Sequence, residues 1–133
     1  MLTFVTETTA LLLVVASFIL VRANYRRLPY RVPIHFGFRG IPDQWGPRRM
    51  IWLLPVVGLV MYFGLSAARL DPRLSDLQLF SFLKAGTLAI FYAILRGQIQ
   101  VALGPRERLG NAWALILGLM LLVVCLETQW GGR

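Results

Sequence analysis

The chain is short of most of the groups from which active sites are built. It has one histidine, His35, one cysteine, Cys125, and six acidic residues scattered over 133 positions, and no acid–base pair, nucleophile with an adjacent base or metal-ligand spacing can be read from them. No catalytic residue, metal site or cofactor is therefore expected. A lone cysteine excludes an intramolecular disulfide, and Cys125 lies in an apolar run, where it reads as a small packing residue. Charge is scarce as well. Only 15% of the residues are charged, against 57% apolar residues and a mean hydropathy of +0.65, a balance outside that of soluble domains. Lysine is nearly missing: Lys84 stands alone beside 13 arginines. The net charge of +8 invites a nucleic-acid reading, but the arginines gather at the edges of apolar runs. Membrane topology is the simpler account, and no nucleic-acid partner is expected.

What the chain does have is long apolar runs, at about 2–21, 50–68, 77–103 and 110–127. Each approaches or exceeds the ~20 residues that a helix rising ~1.5 Å per residue needs to cross ~30 Å of hydrocarbon. They predict an all-α fold: an integral membrane bundle of four transmembrane helices forming one domain over residues 1–133, with an ordered Pro/Gly-rich interfacial loop between the first two. The third run is interrupted by Lys84, Arg96 and several glutamines, and its alternative is an amphipathic helix lying on the membrane. The first run has no basic start and ends in Arg22, the pattern of an uncleaved anchor. Pro55 predicts a bend in the second helix. Between the first two runs lie Arg22, Arg26, Arg27, Arg31, Arg39, Arg48 and Arg49 against one acid, Asp43, so the positive-inside rule places this loop in the cytoplasm and both termini outside.

Ionisable groups at depth need partners, because a charge at the centre of a span costs at least ~2.5 kcal/mol on insertion scales. Counted from one membrane side, Glu7, Lys84 and Glu127 lie at similar depths. An ion pair of Lys84 with Glu7 or Glu127 is expected, with snorkelling of Lys84 as its alternative. Arg26, Arg27, Arg48 and Arg49 are placed to meet anionic lipid phosphates, and Arg96 either does the same or reaches Asp43. Ser81, Ala85, Ala89, Ala93 and Gly97 recur every fourth residue and form a groove with little side-chain bulk. Such a row admits another helix closely, either within the bundle or as a seam for another subunit or a second copy.

Pro29, Pro33, Pro42 and Pro47 prevent residues 28–47 from continuing the first helix. Val32, Ile34, Phe36 and Phe38 alternate with Pro33, His35, Gly37 and Arg39. That period of two predicts an extended segment with its apolar face on the helix ends. Gly40-Ile41-Pro42-Asp43 and Trp45-Gly46-Pro47 are turn chemistry, Trp45 reads as an interfacial plug, and His35 is expected to hydrogen-bond a loop carbonyl. Pro33, His35, Phe36, Gly40, Pro42, Asp43, Trp45 and Gly46 are the candidate surface for a partner or lipid.

Leu28-Pro29, Pro33-Ile34-His35-Phe36, Gly40, Pro42-Asp43 and Trp45-Gly46, in that order and followed by Pro55, resemble the signature of DUF1648, a family of bacterial integral membrane proteins of unknown function. The N-terminal part is also similar to the Bacillus toxin-immunity membrane protein family. The resemblance implies a multi-pass protein of the bacterial cytoplasmic membrane. Two functions are in view: a non-enzymatic accessory or structural subunit of a larger membrane complex, and, as the alternative, an immunity or sensing protein that recognises a peptide toxin or signalling partner.

Overall fold

The computed structural model describes residues 1–37, 39–68, 70–71, 77–104 and 110–130. Helix α1 runs over Leu2–Asn24 and ends in a 3-10 turn, Tyr25–Arg27. Two strands follow, β1 at Arg31–Phe36 and β2 at Pro42–Pro47. A second 3-10 segment, Arg48–Trp52, leads into α2, Leu53–Ala68. The chain is completed by α3, Leu77–Leu103, and α4, Ala112–Trp130.

The protein is mainly helical, and three of its helical stretches are long and apolar enough to cross a membrane: Thr3–Arg27, Arg48–Ala68 and Gln78–Leu103. The apolar stretch of the last helix, Ala114–Gln129, is shorter. Outer faces are apolar, with Leu12 and Ile19 on α1, Val60 and Phe63 on α2 and Leu115 and Leu119 on α4 all exposed. A surface of that kind is complementary to lipid.

Helix α3 is the centre of the bundle and packs against α1, α2, α4 and β1. Lipid tails are as apolar as leucine, so these helices are held by close packing and interhelical polar contacts rather than by escape from water. Halfway along, Ala10 and Val14 of α1 pack against Leu88 of α3, with Leu59 and Tyr62 of α2 alongside. At the loop end, Val21, Leu28, Val32, Ile51, Leu95 and Ile99 form a second cluster to which every neighbouring element contributes. Helix α3 approaches α4 closely at Gly86, where a Cβ would collide with the Met120 side chain and force it to move.

Two expectations change. The bend at Pro55 has no place, because the α-helix starts at Leu53. Proline there falls in the first turn, where its missing N–H would lack an intrahelical acceptor anyway. The irregularity lies just before it, as the 3-10 segment Arg48–Trp52. The all-α expectation also gives way locally, since residues 31–47 contain a two-stranded antiparallel sheet.

Candidate functional site

The hairpin pairs Arg31 with Pro47, Val32 with Gly46 and Pro33 with Trp45, then slips at His35–Gln44 before closing at Phe36–Pro42. Prolines are tolerated because a strand in a two-stranded sheet has one unpaired edge, where a missing N–H removes no ladder bond. The turn is closed by the Gly37 amide donating to the Ile41 carbonyl at 2.8 Å and the Gly40 amide to the Gly37 carbonyl at 2.9 Å. Gly40 has φ 74°, a conformation that favours glycine.

Burial along β1 does not alternate strictly. Val32 and Pro33 are both buried, whereas Ile34 and His35 are both exposed. Ile34, 37% exposed, and Phe36 nonetheless line one cavity with Met50, Leu53, Leu54, Ile94 and Gln98, so the apolar side of β1 lies toward the helices as the alternation predicts. Phe38 lies outside the described residues.

The hairpin is fastened at several points. Val32 enters the cluster made by Leu28, Ile51, Leu95 and Ile99. Gln98, buried on α3, donates through Nε2 to the Pro33 carbonyl. Its Oε1 is buried with no partner among the described residues. Arg31 donates to the Trp45 carbonyl at 2.9 Å. Arg48 turns inward, with its guanidinium carbon 4.8 Å from the Tyr25 ring centre and 5.7 Å from that of Tyr30. Cation–π attraction on two rings explains why this arginine is half-buried while Arg26, Arg27 and Arg49 remain exposed.

On the outer face His35 Nδ1 lies 2.6 Å from Asp43 Oδ1, with the two side chains 63% and 51% exposed. His35 thus bridges the strands through a carboxylate instead of a loop carbonyl. Phe36 and Pro42 are half-buried at the turn, Gly46 is buried, and Trp45 is exposed beside Tyr30 and Arg31. Asp43 is committed to His35, and Arg96 lies elsewhere, on the wall of a cleft between α1, α3 and α4.

A polar cluster occupies the other end of the bundle. Lys84, 1% exposed on α3, places Nζ 2.6 Å from Glu7 Oε2 and 3.0 Å from Ser66 Oγ, and 4.6 Å from the centre of the Tyr62 ring. The second oxygen of Glu7 accepts from Ser81 Oγ at 2.8 Å. Three helices are thereby tied by one ion pair. Glu127 is exposed near the end of α4, and Lys84 meets Glu7 instead.

The small-residue row is divided between two tasks. Ser81 belongs to the polar cluster and Ala85 packs on the Ala10–Val14–Leu88 core, whereas Ala89, Ala93 and Gly97 line the cleft that holds Arg96. Trp52 packs 6.2 Å from Phe18 and 5.8 Å from Tyr25, centre to centre.

Ser66, Tyr62, Gln98 and the inward role of Arg48 do not emerge from the sequence reading. For Gln98 the available signal is an amide inside an apolar helix; for Ser66 and Tyr62 it is their spacing of four on α2, which places them on one face.

Residues 12–59 match the family model described as Domain of unknown function (DUF1648). The match starts inside α1, contains the whole hairpin and ends in α2. No curated protein and no solved structure matches the chain.

Proposed function

We propose that this member of the DUF1648 family is a non-enzymatic protein of the bacterial cytoplasmic membrane that acts by protein–protein interaction, as a small accessory subunit of a larger membrane complex, and that the hairpin is its recognition element. The observation that carries the reading is a contrast within the hairpin. The hairpin is fixed to the helices through Val32, Pro33 and Gln98, yet it presents Tyr30, Ile41 and Trp45 at 88%, 45% and 42% exposure, with Arg31 beside Tyr30 and Trp45. Tyrosine, tryptophan and arginine on a rigid support are the composition of interface hot spots.

In this reading α4 is a fourth span, both termini face the outside and the arginines around the hairpin lie at the cytoplasmic surface, in contact with anionic headgroups. Labelling with a membrane-impermeant thiol reagent checks the topology once the exposed Cys125 has been replaced. New cysteines at Phe4 and Gln129, both exposed, are expected to react from the same side.

The interaction itself is tested by placing a photo-crosslinking residue at Trp45 or, separately, at Leu119 on the exposed face of α4. A stoichiometric polypeptide partner captured from position 45, and lost from a Tyr30→Ala/Trp45→Ala protein in mild-detergent co-purification, is the expected result. Capture from position 119 alone would reject the hairpin as the recognition element. The alternative is a sensing or immunity protein whose exposed hairpin residues meet a peptide. Recovery of the protein as a lone species whose expression gives toxin resistance would select it over the accessory role.

A further inference from the structure

We infer that the cleft between α1, α3 and α4 is a binding site for an anionic phospholipid. The cleft has a volume of about 360 Å³ and follows α3 from Ala89 to Gln100. Eleven residues of helix rise cover ~16 Å, about half of a ~30 Å hydrocarbon core and so the depth of one leaflet.

Its wall is graded along that depth. At the inner end Leu13 of α1, Ala89 of α3 and Ile116 of α4 offer only apolar surface. Toward the loop end Tyr92, Arg96 and Gln100 follow at a spacing of four, which puts a phenol, a guanidinium and an amide in one column on one face of α3. No carboxylate is among the described residues of the wall. A tail in the apolar half with a phosphate on the column reproduces the polarity gradient of a phospholipid in its own leaflet. The positive end favours a net-anionic head, because a zwitterionic lipid brings, beside its phosphate, a quaternary ammonium that the guanidinium repels. The small side chains Ala93 and Gly97 leave the width that a tail occupies.

The test is native mass spectrometry of the full chain released from micelles containing dioleoyl-phosphatidylglycerol or dioleoyl-phosphatidylcholine. The expected result is one retained phosphatidylglycerol with roughly tenfold preference over phosphatidylcholine, whose quaternary ammonium opposes the contact with Arg96. Arg96→Gln is expected to abolish that preference. Arg26→Gln/Arg27→Gln, which removes two exposed arginines outside the cleft, should keep it. Ala93→Leu, narrowing the wall, is expected to lose the retained lipid of either kind at unchanged helicity by circular dichroism. If Ala93→Leu fails to fold, Arg96→Gln decides the matter. Equal retention of the two lipids by the wild type, an unchanged preference in Arg96→Gln, or a polypeptide of constant mass held in place of lipid would overturn the assignment.

Discussion

Where Glu7 and Lys84 meet, polar side chains are turned toward one another; at the hairpin end, most of them are turned outward. Lys84 has a carboxylate, a hydroxyl and an aromatic face around it, and Glu7 has both oxygens engaged. Arg26, Arg27 and Arg49 lie in the open, and His35 with Asp43 forms a pair that water reaches from both sides. The difference follows from the surroundings. A charge within the bundle has no solvent to fall back on, so its partners must come from the protein, whereas a charge at the interface has water and headgroups. Buried pairs are therefore costly to break, and exposed pairs nearly free.

That contrast can be broken most sharply at Lys84. Lys84→Met leaves Glu7 with Ser81 as its remaining partner among the three cluster contacts described, and is expected to lower stability by about 3 kcal/mol, read from the denaturing detergent fraction at which the helices unfold. Adding Glu7→Gln should recover much of that loss, since the carboxylate that lost its cation is then neutral. A Lys84→Met protein as stable as the wild type would remove the ion pair as a determinant of the bundle.

Next in size is Ile51→Ala, in the apolar cluster that seats the hairpin. Truncating a fully buried isoleucine is expected to cost about 2–3 kcal/mol in the same measurement and to speed amide exchange in β1, whose Val32 shares the cluster. Slow exchange in β1 despite that loss would show that the hairpin is held by its polar contacts instead.

Gln98→Leu sets two terms against each other. It removes the donor to the Pro33 carbonyl and also a buried oxygen without a partner among the described residues, each worth about 1–3 kcal/mol when left unsatisfied. The net change is expected to stay within about 1 kcal/mol. The smallest effect belongs to His35→Ala, at most about 1 kcal/mol, because the pair is more than half exposed. A loss from His35→Ala comparable to that from Lys84→Met would erase the distinction between the two ends.

How legible these regions are in the sequence follows the same division. Helix spans announce themselves through runs of apolar residues, and counting turns from the helix ends puts Glu7 and Lys84 at one level; the structure has 2.6 Å between them. The hairpin is harder to see. Its strands contain Pro33, Pro42 and Pro47, which read as turn residues, and although the apolar side of β1 follows a period of two, no such pattern marks β2 as its partner. Arg48 is hidden for another reason. Its neighbour Arg49 has the same chemistry and the same place in the charge pattern, and only the three-dimensional positions of Tyr25 and Tyr30 select one of them for stacking.

The 3-10 segment before α2 has a consequence for reach. Sixteen α-helical residues extend about 24 Å, short of the ~30 Å hydrocarbon slab, but five more at ~2.0 Å per residue add about 10 Å. The lead-in thus brings the segment to bilayer thickness, and its 3-10 winding carries it about 3 Å further than the same residues would reach as an α-helix. It also lets Trp52 dock between Phe18 and Tyr25 at the point where the coil tightens.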